Sequence, residues 1–188
     1  MHSLHPIIAL IGSSGSGKTA LILEMVKRHP NFLAPLKSVT SRPKRDEADS
    51  IFYDFYSAAE ILKMKDQNQL VQHVEHAGNQ YGTQKDHVYS ILKEKFGMNA
   101  LVEQSIKNFQ EAHIPLVLVK IIPINTPEKT VHRGNDDKRA KEDLERSQIQ
   151  LDYALTIEND FTAGGFEKSA DKLEKFIIEK LLPEYPIS

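Results

Sequence analysis

The sequence predicts an α/β fold in which a parallel sheet is flanked by helices. An apolar run, Ile7–Ile11, leads directly into a glycine-rich segment at residues 12–19, and a second apolar stretch at residues 20–26 follows it. This order of strand, loop and helix is typical of a phosphate-binding loop. Further apolar runs alternate with helical patterns along the chain, as they do in parallel α/β sheets. Together these observations predict the P-loop NTPase fold.

Composition limits the classes to which the protein can belong. The chain has 188 residues, of which 40% are hydrophobic, and this suits one globular domain with a sizeable core. A formal net charge of −2 leaves no global basic field, so the sequence does not support a nucleic-acid role. Cysteine is absent, which excludes disulfides and thiolate metal sites. Residues 1–6 carry no Lys or Arg, and no apolar run is long enough to span a bilayer, so we expect a cytoplasmic protein without a membrane partner.

Apolar runs along the chain predict the strands of the parallel sheet. The predicted strands are Ile7–Ile11, Leu36–Thr40, Asn99–Glu103, Ile114–Ile122 and Tyr153–Ile157. The fourth run is apolar on both faces, as a buried parallel strand should be. The tail, Phe166–Leu182, has apolar residues at helical spacing and is a predicted packing helix.

Two segments depart from this alternation. Residues 36–85 form a predicted insert, in which strand-like pieces at Ile51–Phe55 and Leu70–Val74 flank a helical pattern. Residues 126–146 are highly charged, and two interpretations stay open for them: a solvated helix face, or a lid whose cations close over phosphates. The rest of the single domain, residues 1–35, 86–125 and 147–188, is the predicted core.

The glycine-rich segment matches the pattern G-x-x-x-x-G-K-[ST] at every fixed position. Its residues are Gly12, Ser13, Ser14, Gly15, Ser16, Gly17, Lys18 and Thr19. Glycines let successive backbone N–H groups point at a polyphosphate, and the following helix adds the positive end of its dipole. Lys18 would reach the β- and γ-phosphates, while the Thr19 hydroxyl would bind Mg²⁺. The segment therefore predicts that ATP and Mg²⁺ bind here.

A second group of residues predicts another phosphate site within the insert. Arg42 and Arg45 lie three residues apart, close to the hydroxyl of Ser38. Arginine is suited to this role because its planar guanidinium binds phosphate oxygens with two parallel hydrogen bonds. Further along, Tyr53 and Tyr81 supply phenol groups that can donate to the same anion.

With these segments in order, the chain resembles the guanylate kinase family over nearly its whole length. Thr40-Ser41-Arg42 together with Arg45 matches the family's T-x-R-x-x-R segment, and Tyr53 matches its Y-x-F. Residues 78–83 look like its G-N-x-Y-G-[ST], and His132-Arg133-Gly134 resembles the arginine-glycine of its lid. The resemblance implies an ATP-dependent nucleoside monophosphate kinase with a core, a substrate-binding insert and a mobile lid.

The resemblance also implies roles for individual residues. The acceptor nucleotide would be bound by Ser38, Arg42, Arg45, Tyr53, Gln72, Tyr81, Thr83, Glu103 and Ser105. Catalysis would depend on Lys18, Arg42 and the lid arginines Arg133, Arg139 and Arg146. Phosphoryl transfer needs positioning and charge neutralisation more than covalent chemistry, and these cations would supply both.

The guanine-reading positions depart from the family pattern. Gln72 stands where the family has a glutamate, Ser105 where it has an aspartate, and Glu103 at its earlier acid. Guanine offers two donors, N1–H and the 2-amino group, which one carboxylate accepts together, whereas Gln72 has one acceptor oxygen. An unpaired donor would cost roughly 1–3 kcal/mol. Strand alternation predicts that Glu103 shares a face with Ser105 and that Glu75 faces away from Gln72.

Three functions stay open at this point. The first is transfer of the γ-phosphoryl group of ATP to a nucleoside monophosphate, with GMP or dGMP as the expected acceptor. The second keeps the reaction but changes the acceptor, for example to ribose 1,5-bisphosphate, whose kinases resemble guanylate kinases and lack the full set of guanine-reading acids. The third is a non-catalytic binding module, against which the complete phosphate loop argues. The expected partners are small-molecule nucleotides, and the oligomeric state is left open.

Overall fold

The computed structural model describes residues 4–76, 78–126 and 150–187, which contain two β-sheets and their helices. The strands are β1 (Ile7–Ile11), β2 (Leu33–Pro35), β3 (Ser38–Thr40), β4 (Tyr53–Phe55), β5 (Leu70–His76), β6 (Asn79–Gln84), β7 (Phe96–Ala100), β8 (Leu116–Ile124) and β9 (Leu155–Asp160). The helices are α1 (Lys18–Arg28), α2 (Asp49–Phe52), α3 (Ala58–Asp66), α4 (Lys85–Leu92), α5 (Glu103–Glu111) and α6 (Gly165–Phe176). A π-helical turn at Ile177–Leu181 and the short helix α7 (Leu182–Glu184) follow α6.

The larger sheet is parallel and has the strand order β2-β7-β1-β8-β9. Its central strand β1 is completely buried, because helices cover both of its faces. On one face Leu21 and Met25 of α1 pack with Leu173 of α6. On the other face the apolar cluster contains Val88 of α4 and Phe109 of α5. The predicted α/β fold with a parallel sheet flanked by helices is thereby confirmed.

The smaller sheet has the order β4-β3-β6-β5, and its strands lie within the predicted insert. β3 pairs in parallel with β4 and antiparallel with β6, which in turn pairs antiparallel with β5. One face is covered by α3, where Ile61 packs between Val39 and Leu70. The capping box of Ser57 and Glu60 begins this helix. The opposite face of this sheet is not covered by α3.

The strand predicted at Asn99–Glu103 lies three residues earlier, at Phe96–Ala100. Gly97 lies in the interior of this strand, where Leu36 packs directly on it. A Cβ at Gly97 would come within 2.4 Å of Leu36 Cδ1. Glu103 is consequently the first residue of α5 and not a strand residue, so that part of the prediction is wrong.

The strand predicted at Leu36–Thr40 is divided between the two sheets. β2 ends at Pro35 in the larger sheet, and β3 begins at Ser38 in the smaller one. The strand predicted at Ile51–Phe55 is also only partly correct, because Ile51 and Phe52 belong to the short helix α2. In both places the predicted strand spans a boundary, between two sheets in the first case and between a helix and a strand in the second. Periodicity alone does not show such a boundary. The predicted strands at Ile114–Ile122 and Tyr153–Ile157 exist with shifted ends.

Part of the predicted organisation stays a prediction. Residue 126 is described, but the rest of the predicted lid, with Arg133, Arg139 and Arg146, lies outside the described residues. The boundaries proposed for core, insert and lid are likewise expectations from the sequence. Within the described ranges, no helix combines the length and the apolar character needed to cross a membrane.

Candidate active site

The glycine-rich loop joins the buried end of β1 to the first turn of α1. Ser13, Ser14 and Gly15 are exposed, whereas Ser16 is fully buried and anchors the loop. A Cβ at Gly12 would lie 2.3 Å from the carbonyl oxygen of Ile121 in β8, so the loop passes that strand at a distance only glycine allows. The result is a cradle between a buried strand and a helix N-terminus, where a polyphosphate would meet backbone N–H groups.

Lys18, the first residue of α1, lies over this cradle. Its Nζ donates to the carbonyl oxygens of Gly12 and Ser13, each at 2.7 Å, and lies 3.3 Å from Ser16 Oγ. The next residue, Thr19, is exposed in the first turn of the helix. The loop therefore presents an ammonium group and a hydroxyl at its mouth, and these groups suit phosphate oxygens and a hard metal ion such as Mg²⁺.

Asn159, near the end of β9, is hydrogen bonded to the backbone of the glycine-rich loop. This residue was not identified from the sequence. Its side chain is 2% exposed, and Nδ2 donates to the carbonyl oxygen of Ser16 at 3.0 Å. Gly17 adopts φ 89° directly above it, and a Cβ there would lie 2.3 Å from Asn159 Nδ2. The available signal was a polar residue two positions after the last residue of the strand predicted at Tyr153–Ile157.

The second group of predicted residues lies on one face of the smaller sheet. Register places Ser38 opposite Tyr53, Thr40 opposite Tyr81, and Gln72 opposite Thr83. Directly opposed residues share a face, and so do alternate residues along a strand. This face, hereafter the acceptor face, is the one turned away from α3. The structure thus brings together predicted substrate-binding residues from four strands.

Arg42 and two tyrosines form one end of the acceptor face. The Arg42 guanidinium carbon lies 5.2 Å from the centroid of the Tyr53 ring, a cation–π contact. The ring of Tyr81 meets Tyr53 edge-on, with 6.3 Å between the centroids. Burial raises the pKa of the Tyr53 phenol, so at neutral pH this group is protonated and able to donate a hydrogen bond.

Asp49 holds the two predicted phosphate-binding arginines together, and it too was missed from the sequence. The carboxylate is 5% exposed and accepts from Arg45 Nη2 at 2.7 Å and from Arg45 Nε at 3.2 Å. Arg42 Nη2 lies 3.1 Å from Asp49 Oδ2 in an ion pair, but the angle does not make it a hydrogen bond. The Arg45 guanidinium is the main reason that the pKa of Asp49 lies well below its usual range. Its spacing of four residues from Arg45 was the only sequence signal.

Gln72 and Thr83 form the other end of the acceptor face. Both side chains are buried, at 5% and 0% exposure, and Gln72 Nε2 lies 3.1 Å from Thr83 Oγ1, to which it donates. Among the described residues nothing is hydrogen bonded to the buried oxygen, Gln72 Oε1. Buried acceptors are almost always satisfied in folded proteins, so this end of the face presents an unused acceptor.

Glu103 and Ser105 do not share a face, contrary to the strand-based prediction. Both lie in the first turn of α5, and two residues on a helix differ in direction by about 200°. Ser105 is 1% exposed, whereas Glu103 is only partly buried. The pKa of Tyr153 is raised mainly by its own burial and, to a lesser extent, by the negative charge of Glu103. The predicted positions of Arg133, Arg139 and Arg146 fall outside the described residues.

Comparisons with known proteins place this geometry in a family. The family model described as guanylate kinase matches residues 4–180. This chain belongs to the guanylate kinase family. Its relatives include guanylate kinases from Rickettsia bellii, 24% identical over 93% of this chain and 94% of the relative, and from Gloeobacter violaceus, 26% identical over 98% and 92%. The guanylate kinase of Wolinella succinogenes is 31% identical over 70% of this chain and 64% of its own length.

A solved structure agrees with the fold. The crystal structure of guanylate kinase from Anaplasma phagocytophilum superimposes with a TM-score of 0.63 and 22% identity, covering 96% of this chain and 89% of that one. Membership of the guanylate kinase family confirms the predicted enzyme class, a nucleoside monophosphate kinase that uses ATP and Mg²⁺. The two alternative functions, a sugar-bisphosphate kinase and a non-catalytic module, are not favoured.

Proposed function

We propose that this chain transfers the γ-phosphoryl group of ATP to GMP or dGMP, yielding ADP and the nucleoside diphosphate. The observation that carries the proposal is that cationic and hydrogen-bond-donating side chains gather at two separate places, one beside each sheet. The loop after β1 presents Lys18, and the acceptor face presents Arg42 beside two tyrosines. Relatives named guanylate kinase support GMP as the acceptor.

The donor half is the loop of residues 12–19. Phosphate oxygens of ATP would replace the Gly12 and Ser13 carbonyls as partners of Lys18 Nζ, because an anion is a stronger acceptor than a neutral carbonyl. Mg²⁺, which Thr19 would hold together with ATP, supplies positive charge to the β- and γ-phosphates. Asn159 keeps the loop backbone open toward the phosphates by fixing the carbonyl of Ser16 below it.

The acceptor half is the end of the acceptor face near Arg42. Arg42 Nη2 is buried and makes an ion pair with Asp49 but no hydrogen bond among the described residues, so a phosphate oxygen would supply an acceptor for its N–H groups. Arg45 is more exposed and would approach the same phosphate, while Asp49 keeps both guanidiniums in place. The phenols of Tyr53 and Tyr81 would donate to the remaining oxygens.

Catalysis on this proposal is mainly positioning. The acceptor oxygen and the γ-phosphorus are held in line, and cations neutralise the charge that spreads over the transferred group. Lys18 and Arg42 act from the described part of the chain. We assign Arg133, Arg139 and Arg146 to the same task from the proposed lid, which would also keep water from acting as the acceptor.

ADP formation from ATP tests the proposal with GMP, dGMP, AMP, UMP and ribose 1,5-bisphosphate as acceptors. The expected result is turnover with GMP and dGMP that disappears in Lys18→Ala. Glu111→Gln, a change at an exposed position at the far end of α5, serves as the control and should retain turnover. Turnover with the sugar bisphosphate alone, or with none of the acceptors, would contradict the proposal.

A further inference from the structure

The end of the acceptor face formed by Gln72 and Thr83 is hereafter the base end. Among the described residues, it presents the unpartnered oxygen Gln72 Oε1, and none of the four strands places a carboxylate on this face. Gln72 Nε2 donates to Thr83 Oγ1 at 3.1 Å, so the amide nitrogen faces the threonine and the oxygen faces away from it. The opposite atom, Oε1, is buried and has no partner among the described residues. A ligand that offers a single N–H group would satisfy this oxygen and would need nothing more from Gln72.

The acidic residues near these strands are directed elsewhere. Asp49 forms ion pairs with Arg42 and Arg45 at the opposite end of the acceptor face. Register pairs Asp54 with Val39 and Glu75 with Gln80, which places both on the face opposite to Gln72. Each of them also has a partner there, Lys37 for Asp54 and Gln80 for Glu75. Glu103 is turned about 200° from the buried Ser105 on α5.

A guanine base has two parallel donors on one edge, N1–H and the 2-amino group. A carboxylate accepts both, one on each oxygen, but the second atom of the Gln72 amide is itself a donor. The 2-amino group of GMP therefore finds no hydrogen-bond acceptor on Gln72. A 6-oxopurine without the 2-amino group, the base of inosine monophosphate (IMP), retains N1–H and leaves no donor unpaired.

We propose that this chain accepts IMP nearly as well as GMP, because Gln72 reads N1–H alone. The inference rests on the proposed function, since it concerns the acceptor site of the same reaction. It adds an activity, phosphorylation of IMP by ATP: the phosphate of IMP attacks the γ-phosphorus, the bond to the β-phosphate oxygen breaks, and ADP and inosine diphosphate form.

The test compares kcat/KM for GMP and IMP in the wild-type chain and in two variants. In the wild type we expect the two values to agree within about tenfold. Gln72→Glu supplies the second acceptor and should raise the preference for GMP by about 10- to 100-fold, the value of one buried hydrogen bond. Gln72→Leu removes the acceptor and should lower both values together, leaving their ratio unchanged. Gln110→Glu makes the same chemical change at an exposed position on α5 and serves as the control.

The outcomes separate the two proposals. A wild-type preference for GMP over IMP above tenfold, or a ratio that Gln72→Glu does not move, overturns the inference. A preference for AMP over both would mean that the amide presents its N–H group to the base, and this also overturns it. Absence of turnover with every purine monophosphate contradicts the proposed function instead, and equilibrium binding of GMP and IMP to the wild type then decides the inference by the same tenfold criterion.

Discussion

A single side-chain atom, Asn159 Nδ2, constrains the phosphate loop at two neighbouring residues. Asn159 Nδ2 occupies the space that a Cβ at Gly17 would need, and the same nitrogen holds the carbonyl of Ser16. Gly17 precedes α1 with a left-handed φ of 89°, and Gly164 precedes α6 in the same way with φ 75°. A Cβ at Gly164 would meet nothing within 4 Å, so the two glycines differ only in their surroundings.

This difference provides a matched pair of substitutions. Both Gly17→Ala and Gly164→Ala place an alanine in the left-handed region, at a cost of roughly 1–2 kcal/mol. Gly17→Ala should lose about 1–3 kcal/mol more of the free energy of unfolding, because it displaces Asn159 from the Ser16 carbonyl. Urea unfolding measures the difference, and ATP affinity should fall in Gly17→Ala alone. Equal losses in the two variants would show that Asn159 does not constrain the loop.

The buried carboxylate of Asp49 gives a second prediction at this scale. Asp49→Asn should raise KM for the acceptor by about tenfold or more, because two guanidiniums lose the charge that orients them. KM for ATP should change less than threefold. Asp171→Asn is the control, since Asp171 also pairs with an arginine, Arg28 at 2.8 Å, but this pair joins α1 to α6 and includes no residue of the acceptor face. An equal rise of both KM values in Asp49→Asn would argue against the proposed positioning role.

The same substitution changes the response to acid. The pKa of Asp49 is held below its usual range in the native chain, chiefly by Arg45. A depressed carboxyl pKa stabilises the native state above the unfolded pKa of about 3.9, and the contribution is lost as the pH falls below that value toward the native pKa. The free energy of unfolding should therefore fall more steeply between pH 5 and pH 3 in the wild type than in Asp49→Asn.

Among the secondary-structure elements, α4 and the connection from β2 to β3 form the joint between the two sheets. Lys37 in that connection donates its backbone N–H to His87 Nε2 of α4 at 3.2 Å, and its side chain pairs with Asp54 at 3.0 Å. Burial is the main reason that the pKa of His87 is lowered, so the imidazole accepts as a neutral ring. The chain passes from the larger sheet to the smaller one between β2 and β3, and it returns through α4. The hydrogen bond between Lys37 and His87 joins these two connections.

Protonation of His87 would turn this acceptor into a donor facing another donor. As the pH falls below the unfolded histidine pKa of about 6.5, the unfolded chain binds a proton that the native chain resists, so the free energy of unfolding falls. His87→Gln retains an acceptor and should make this fall shallower between pH 7 and pH 5. Burial also lowers the pKa of His5, which makes the free energy of unfolding fall over the same pH range. In His87→Gln the pH dependence of the free energy of unfolding should therefore become weaker but should not disappear. Measurement at pH 8 provides the reference, and an unchanged slope would contradict the prediction.

Elements with a strong local pattern were predictable from the sequence, and those defined by contacts between elements were not. The loop of residues 12–19 is predictable residue by residue because its function requires a fixed local order. The strand at Phe96–Ala100 was misplaced because it contains Gly97, which sequence patterns disfavour within a strand. The side chain of Leu36, distant in sequence, occupies the space that a Cβ at Gly97 would need. Asn159 was missed because only tertiary structure places it against Gly17. Asp49 was missed because its spacing of four residues from Arg45 does not show that its carboxylate is buried.

At the scale of the whole molecule, the proposed function assigns one anion site to each of the two sheets. We expect ATP and GMP to stabilise the chain independently. Each ligand at about 100 times its Kd should add about 2.7 kcal/mol, or roughly 5–10 °C in Tm for a chain of this size. Lys18→Ala should abolish the shift from a non-hydrolysable ATP analogue and retain the shift from GMP, while Arg42→Ala should do the reverse. Differential scanning calorimetry measures both shifts, and loss of both in either variant would contradict the two-site arrangement.

The hydrogen bond between Lys37 and His87 also has a consequence for the evolution of the molecule. The acceptor sheet leaves and rejoins the parallel sheet at neighbouring points, as inserted domains do where their ends lie close together. On the proposed function, substitutions on the acceptor face, such as a glutamine at position 72, would therefore leave the loop of residues 12–19 undisturbed. We expect an exchange of residues 38–84 between relatives to transfer acceptor preference while leaving the affinity for ATP unchanged.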